Sequence, residues 1–157
     1  MSKEFTHLSE KGEARMVDIS GKTETSRRAV ASSFVKMSAD TLNAIRDEKL
    51  PKGDVFAAAR IAGIMGAKRV AELIPLCHPL NIDHCEIVFE MKEGGIAVRS
   101  EVKVRGTTGA EMEAITAVSI AALTIYDMCK SMEKGIVITD TMLLEKDGGK
   151  SGSFRRK

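Results

Sequence analysis

The stretch CEIVFEMKEGGIAVRSEVKV, residues 85–104, decides the fold. Its first part, residues 85–91, alternates apolar and polar side chains with a period of two, and residues 96–104 repeat that alternation. This period is typical of β-strands that bury one face. The residues between the two parts, Lys92-Glu93-Gly94-Gly95, provide the glycines that a tight turn requires. The stretch therefore predicts a β-hairpin with one apolar and one polar face.

Predicted strands and helices surround this hairpin. Ser38 is a candidate N-cap for a helix over residues 39–50, and Asp54 is one for a helix over residues 55–74, which ends before Pro75. The other predicted elements are a strand over 28–37, a helix over 111–129, and a last strand that starts over 135–138 and continues over 142–144 after a break. The order strand, helices, hairpin, helix, strand is that of the ferredoxin-like βαββαβ sandwich, an α+β fold in which helices cover one face of an antiparallel sheet.

The whole chain, residues 1–157, is expected to form one domain, because a chain of this length buries about 70% of its unfolded surface without disulfide support. No internal repeat or long linker divides it. Residues 1–14 are polar and are predicted to be a mobile N-terminal arm. Residues 147–157, DGGKSGSFRRK, are predicted to be a flexible basic tail.

The composition argues against several classes of protein. The 24 basic and 22 acidic side chains leave a formal net charge of only +2, so bulk charge does not indicate a nucleic-acid partner. No apolar run approaches the ~20 residues of a membrane span, and the N-terminal sequence lacks the apolar core of a signal peptide. Three cysteines, an odd number, argue against a disulfide framework. We therefore expect a cytoplasmic protein without a membrane partner.

Asp127 and Lys130 lie three residues apart near the end of the predicted helix 111–129, where their side chains can contact each other. Two interpretations stay open. The pair is either a surface ion pair, worth a few tenths of a kcal/mol, or a general acid–base pair. In the second case the apolar neighbours Ile125 and Met128 are expected to shift both pKa values toward neutrality.

Two carboxylates, Glu111 and Glu113, lie at the start of the same predicted helix. Glu113 shares the Asp127 side of the helix but lies about 21 Å away along the axis, so these carboxylates cannot form one site within one helix. Either the two glutamates only interact favourably with the helix dipole, or an assembly of subunits combines the two helix ends.

Two pairs of neighbours, Cys77-His78 and His84-Cys85, suggest a zinc site. Five residues separate the two histidines, which is a permitted spacing, but the outer cysteines do not fit the usual pattern. His84 and Cys85 enter a predicted strand together, so their side chains point to opposite faces. We therefore expect no metal site, and an ordinary loop histidine is the favoured interpretation.

Two lysines lie beside glycines. Lys52 lies in a Pro-Lys-Gly break directly before the predicted helix 55–74, near a helix N-terminus that favours anions. Lys150 lies in Gly149-Lys150-Ser151, which resembles the end of a phosphate loop. A Walker nucleotide site is rejected, because position 144 is leucine rather than glycine and no helix follows. Each lysine is otherwise an ordinary surface residue.

Longer blocks of sequence resemble the cyclic pyranopterin monophosphate synthase family, and the resemblance covers nearly the whole chain. The most specific block is AALTIYDMCK, residues 121–130. The other matching blocks are MVD at 16–18, KGDVF at 52–56, ARIAGI at 59–64, LCHPL at 76–80, EMEA at 111–114 and GGKSG at 148–152.

This resemblance implies a ferredoxin-like subunit that assembles as a hexamer, a trimer of dimers, with active sites at subunit interfaces. It implies the conversion of the 3′,8-cyclised dihydro-GTP intermediate into cyclic pyranopterin monophosphate, with release of diphosphate, in molybdenum cofactor biosynthesis. No redox step is implied, so we expect no resident cofactor, although Mg²⁺ can accompany the triphosphate. The alternative is a nucleotide-sensing oligomer without catalysis. The lack of an aromatic-rich strand argues against an RNA-binding domain.

The resemblance also implies roles for individual residues. Asp127 is implied as the catalytic acid–base group, with Lys130 and Lys52 assisting it. Lys130 lies three residues from Asp127, whereas Lys52 comes from a distant part of the sequence. The implied substrate contacts are Leu76, Cys77, His78, Glu111, Met112 and Glu113, with Lys68 and Lys146 as contacts of the triphosphate.

Overall fold

The computed structural model describes residues 8, 9 and 11–157. Its elements follow the predicted order, and the hairpin is formed by the second and third strands. Their bounds are β1 (Thr25–Lys36), α1 (Ala39–Arg46), α2 (Val55–Ala67), α3 (Val70–Leu73), β2 (Ile82–Lys92), β3 (Gly95–Gly106), α4 (Glu111–Cys129), β4 (Val137–Asp147) and β5 (Phe154–Arg155).

The predicted hairpin is confirmed as β2 and β3. Gly94 in its turn has a φ of 77°, a left-handed conformation that glycine adopts without steric cost. Alternate side chains of β3 are buried, as the period of two predicts. The polar member of the buried set, Ser100, is also satisfied, because its Oγ donates to the carbonyl of Ala114 at 2.8 Å. The buried set is Ile96, Val98, Ser100, Val102 and Val104.

The sheet has the strand order β2-β3-β1-β4-β5, and its neighbouring strands are antiparallel. β1 lies in the middle and pairs along its whole length with β3, from Thr25 opposite Gly106 to Lys36 opposite Gly95. α4 packs on β1, β3 and β4, while α2 packs beside α4 and on β2. This arrangement confirms the ferredoxin-like α+β fold, whose hydrophobic core lies between the helices and the sheet.

Two helix boundaries differ from the prediction. The helix predicted over 55–74 is divided into α2 and α3, because the chain turns at Lys68 and Arg69. Gly66 comes just before this turn, and glycine weakens a helix. The helix predicted over 39–50 ends earlier, since Glu48 has a φ of 55°, a left-handed conformation that stops helical propagation.

The last predicted strand is confirmed as β4, and its predicted break takes the form of irregular pairing. The register with β1 shifts twice, between the partners of Val30 and Ala31 and between those of Ser32 and Phe34. Asp140 of β4 lies near the second shift and has a φ of 52°. Such irregularities bend a strand locally without ending it.

The basic tail, which is predicted to be flexible, contains the short strand β5. β5 pairs with Glu145 and Lys146 of β4, and the backbone N–H of Arg156 donates to the carbonyl of Leu144 at 2.8 Å. The pairing forms because the outer side of β4 otherwise presents unpaired backbone groups. The predicted mobile arm, residues 1–14, lies largely outside the described residues.

Among the residues that the structure describes, one helix is long and apolar enough to cross a membrane by length and composition, namely α4. The sequence shows no uninterrupted apolar run of that length, so the prediction did not anticipate this finding. In the structure, 56% of the apolar window is buried. α4 packs on three strands, which is typical of the core helix of a globular domain.

Candidate functional site

The predicted substrate contacts come together at the N-terminal end of α4. A pocket of about 380 Å³ lies there, between the segment that follows α3 and the first turn of α4. All six predicted contacts line it, although they come from two separate segments of the chain. They are Leu76, Cys77, His78, Glu111, Met112 and Glu113.

A second cavity, of about 710 Å³, adjoins this pocket and shares Glu111 with it. Five cationic side chains and two carboxylates, Glu111 and Asp147, line this larger cavity, so its positive charge suits an anionic ligand. Lys146, a predicted triphosphate contact, is among them, and its Nζ donates to Glu111 Oε1 at 2.8 Å and to Ser151 Oγ at 2.9 Å. We call it the cationic cavity after its basic residues, which are Lys22, Arg27, Arg28, Lys146 and Lys150.

Glu113 is the buried carboxyl group of the smaller pocket, with 4% of its surface exposed. Burial raises its pKa to about 7, and the charge of Glu111 adds to the rise. The pKa of the Cys77 thiol is also raised, first by burial and then by the charge of Glu113. At neutral pH the pocket therefore holds a carboxyl group that is about half protonated and a protonated thiol, and both can donate hydrogen bonds.

The three predicted catalytic residues meet at the other end of α4. Asp127 accepts a hydrogen bond from Lys130 Nζ at Oδ1, with a distance of 2.6 Å, and one from Lys52 Nζ at Oδ2, with a distance of 2.9 Å. Lys52 also donates to the backbone carbonyl of Asp127 at 3.0 Å. Lys130 is the C-cap of α4, whereas Lys52 comes from the loop between α1 and α2. We call these three residues the aspartate cluster.

The pKa values of the aspartate cluster are not shifted toward neutrality, so that prediction is wrong. Hydrogen bonds from Lys130 and then Lys52 lower the pKa of Asp127 to about 2. The pKa of Lys130 is raised by its hydrogen bond to Asp127. The reason is that the Asp127 side chain is 54% exposed and lies between two ammonium groups, so desolvation is weak and attraction dominates. Asp127 is therefore ionised at neutral pH.

Some predicted site residues lie outside both cavities. Lys68, a predicted triphosphate contact, is the C-cap of α2 and lines neither of the two. The aspartate cluster also lines neither of them. In residues 8, 9 and 11–157, no three His, Cys, Asp or Glu side chains come together as metal ligands do. Cys85, one of the residues considered for zinc, lies in β2.

A profile of the MoaC family matches residues 16–149, which include both ends of α4, the smaller pocket and all but Lys150 and Ser151 of the lining of the cationic cavity. The chain belongs to the MoaC family. A cyclic pyranopterin monophosphate synthase from Peptoclostridium acidaminophilum is 53% identical to this chain, and the match covers 98% of each. The protein of the same name from Desulfitobacterium hafniense is 55% identical over 98% of this chain and 95% of its own length. The protein of the same name from Clostridium acetobutylicum is 51% identical over 99% of this chain and 98% of its own length.

As a MoaC family member the protein is an enzyme with a role in molybdenum cofactor biosynthesis, and its substrate is a small molecule. The adjoining cavities fit this role, because small-molecule sites are concave and combine apolar walls with a few polar groups. The pocket at Glu113 provides such groups, and the cationic cavity adds charge.

Sequence reasoning missed several residues of this family member's cationic cavity, notably Lys22 and Arg27. Arg27 reaches the cavity because β1 pairs with β3, and its Nε donates to the carbonyl of Gly106 at 3.0 Å. That pairing also brings β1 next to Thr108, in the loop before α4. For Arg27 the signal is strand register, which a single sequence does not display over such separations.

Replacing Glu113 by glutamine is expected to stabilise the fold at alkaline pH. The folded-state pKa of Glu113, about 7, lies above its usual value of 4.5. The stability that the neutral carboxyl group provides is therefore fully present below pH 4.5 and is lost as the pH rises through 7. The difference between the two pKa values corresponds to about 3 kcal/mol in the free energy of unfolding. Urea unfolding at several pH values should show Glu113→Gln more stable than wild type at pH 8, with the two converging near pH 4. A constant difference across this range would contradict the raised pKa.

Proposed function

We propose that this enzyme converts (8S)-3′,8-cyclo-7,8-dihydroguanosine 5′-triphosphate into cyclic pyranopterin monophosphate, the product in its relatives' name, and diphosphate. The observation that carries the proposal is that the cationic cavity adjoins the pocket of His78 and Glu113. A substrate that combines a triphosphate with a hydrogen-bonding heterocycle matches both. Lys146 is proposed as a triphosphate contact, and Lys68 as a more peripheral one.

The proposed reaction needs cations that stabilise a leaving group. A ribose-derived hydroxyl attacks the α-phosphorus and forms a new P–O bond, while the bond from that phosphorus to the bridging oxygen of the β-phosphate breaks. The hydroxyl proton passes to a base, and the electron pair leaves with diphosphate. Lys22, Arg27 and Lys146 line the cationic cavity, and their proposed role is to offset the charge that develops on the leaving group.

The proposed reaction also needs proton transfers, because the purine ring is opened and rebuilt at nitrogen and carbon centres. Asp127 is the proposed acid–base group. It is an ionised carboxylate, the form that can accept a proton, and the ammonium groups of Lys130 and Lys52 contact its two oxygens. Glu113, with a pKa of about 7, is a further group that exchanges protons near neutral pH.

We propose that a second copy of the chain completes the active site, in a hexamer built as a trimer of dimers. Asp127 lies about 21 Å along α4 from Glu113 and lines neither cavity. A neighbouring subunit supplies the missing aspartate cluster to each pocket in this arrangement. Apolar side chains on α2 and α4 support it, because Ile61 is 62% and Leu123 is 55% exposed, and such surfaces are typical of interfaces.

Mixing two impaired variants tests whether the site is shared. Asp127→Asn disables the aspartate cluster, and His78→Ala removes a contact from the other end. After mild dissociation and random exchange, about a quarter of the sites should combine an intact Asp127 with an intact His78 from another copy. Activity should recover accordingly. No recovery in mixed oligomers, or a fully active monomer in sedimentation, would contradict the shared site.

Incubation of the purified enzyme with the cyclised nucleotide tests the reaction itself. We expect one diphosphate for each cyclic pyranopterin monophosphate, measured by a coupled diphosphate assay and by mass spectrometry. The alternative, a nucleotide-sensing oligomer, predicts binding without release of diphosphate. Membership in a family of enzymes argues against it, and tight binding without turnover would favour it.

The proposed reaction requires no resident cofactor, because it contains no redox step. Mg²⁺ would enter with the triphosphate, as part of the substrate. The three cysteines, all among the described residues, are free thiols, which supports a reducing compartment such as the cytoplasm.

A further inference from the structure

A cluster of ion pairs beside the cationic cavity connects three strands. Its centre is Arg28 in β1, whose Nε and NH2 donate to Glu101 of β3 at 2.9 and 2.7 Å. Its NH1 donates to Glu145 of β4 at 2.7 Å and reaches Asp147 at 3.3 Å. All three nitrogens of this guanidinium are therefore engaged by carboxylates. Arg28 lines the cavity, but these contacts do not leave it placed as a phosphate ligand.

The charges of this cluster balance each other. Arg28 lowers the pKa of Glu101 to about 2 and also lowers that of Glu145, so both stay ionised around neutral pH. Lys103 pairs with Glu101 at 3.0 Å, and Arg155 pairs with the third carboxylate, Asp147. Since three cations face three anions, the cluster adds little net charge to the cavity, and its role is to hold strands and loop in place.

Asp147 and Arg155 close the base of a loop. Arg155 NH2 donates to both carboxylate oxygens of Asp147, at 2.8 and 2.9 Å. Arg155 NH1 also donates to the carbonyl of Lys146 at 3.1 Å. The chain between these residues leaves the end of β4 and returns in β5, and its residues 148–151 line the cationic cavity. The ion pair thus joins the two ends of a cavity wall.

The loop also has a defined seat on β1. Gly148 has a φ of 94°, and a Cβ at this position would collide with the carbonyl oxygen of Ser26. Only glycine combines this conformation with so close an approach. Lys146 adds a further tie, because its Nζ donates to Ser151 inside the loop. The wall is therefore fixed by contacts at its base, at its first glycine and at Ser151.

We propose that Arg28, Asp147 and Arg155 form a clamp that holds residues 148–151 in place before a polyphosphate enters the cationic cavity. The three are positioning residues, since their guanidinium and carboxylate groups bind one another. If the loop is already ordered before the ligand binds, binding does not have to include the loss of conformational entropy that ordering the loop requires. The inference rests on the proposed function only for the identity of the ligand, the triphosphate of the substrate.

The variant Arg155→Gln tests the clamp, because Arg155 does not line the cavity. Inorganic triphosphate is the probe, and calorimetry should show a dissociation constant raised about tenfold. Hydrogen exchange of the amides of residues 148–153 should become faster, and turnover should show a raised KM with kcat nearly unchanged. Arg46→Gln is the matched control, since it removes the same charge at the end of α1, where Arg46 donates to Asn43.

A double-mutant cycle with Asp147→Asn separates the clamp from a general loss of charge. If the two residues act as one unit, the double variant should weaken triphosphate binding no more than either single variant. The proposal would be overturned if the effects of the two substitutions on the dissociation constant multiplied in the double variant. It would also be overturned if Arg155→Gln kept the wild-type affinity and the wild-type hydrogen exchange, or if the wild type did not bind inorganic triphosphate. Calorimetry and hydrogen exchange need no turnover, so failure of the proposed reaction would appear separately.

Discussion

Asp127→Asn is expected to fold as the wild type does and to lose turnover by about 10²- to 10⁴-fold in kcat. Asparagine keeps the shape of the side chain but cannot accept a proton at neutral pH. It also removes the negative charge that lies between Lys52 and Lys130. Since these lysines hold the pKa of Asp127 at about 2, the wild-type group is a carboxylate under assay conditions. Steady-state kinetics measures the loss, and circular dichroism checks the fold.

Asp47→Asn is the matched control for this experiment. Asp47 is also exposed and also paired with a lysine, because Lys49 Nζ lies 2.9 Å from its Oδ2. It is the C-cap of α1 and belongs to neither the aspartate cluster nor the cavities. Its variant should keep the wild-type kcat. If Asp127→Asn kept it too, the pair with Lys130 would be an ordinary surface ion pair, the alternative that the sequence left open.

Lys52→Ala is expected to lower kcat by about 10²-fold. The ammonium of Lys52 contacts Asp127 twice, through the carboxylate and the backbone carbonyl. If it donates a proton or stabilises developing charge, it acts mainly in the transition state, so kcat should fall rather than KM rise. The measurement is the steady-state kinetics of the variant, with circular dichroism as the check on folding.

Two other lysines serve as comparisons for Lys52. Lys150→Ala should mostly raise KM, because Lys150 lines the cationic cavity and a contact with a phosphate there would stabilise the bound substrate and the transition state equally. Lys49→Ala removes a lysine paired with Asp47 and should change neither constant. A wild-type kcat for Lys52→Ala would leave Lys52 as a loop residue without a catalytic role.

Local patterns in the sequence were sufficient for the elements that form by local rules. The hairpin follows from alternation over residues 85–104 and from a glycine turn, and the bounds of α4 agree with the prediction at both ends. Ser38 and Asp54 cap their helices as predicted, because capping involves residues only two or three positions away. Each of these features is encoded within a few residues.

The pKa of Asp127 shows where local reasoning fails. Its apolar neighbours Ile125 and Met128 are buried, but successive residues of a helix point in directions about 100° apart, and the Asp127 side chain is exposed. Its surroundings are set instead by Lys130 and by Lys52, which is 75 residues away in sequence. No pattern near Asp127 shows that contact.

Contacts between distant strands account for the other differences. Arg27 enters the cationic cavity through the register of β1 with β3, and in β5 the side chain of Arg155 also pairs with Asp147 at the end of β4. Composition alone describes the last residues as basic and glycine-rich, which is also typical of a flexible tail. Whether these residues pair as a strand depends on whether another strand lies beside them, and that is determined by the folded chain.

The short strand β5 has a consequence for how the molecule resists aggregation. An open edge strand offers its backbone donors and acceptors to any extended chain that approaches it, and β5 covers Glu145 and Lys146, near the end of β4. At the opposite edge, β2 relies on charge, because Asp83, Glu86 and Glu90 are exposed there and repel a second copy of the same strand. Removal of the last few residues would leave the β2 edge protected and the β4 edge open to self-association.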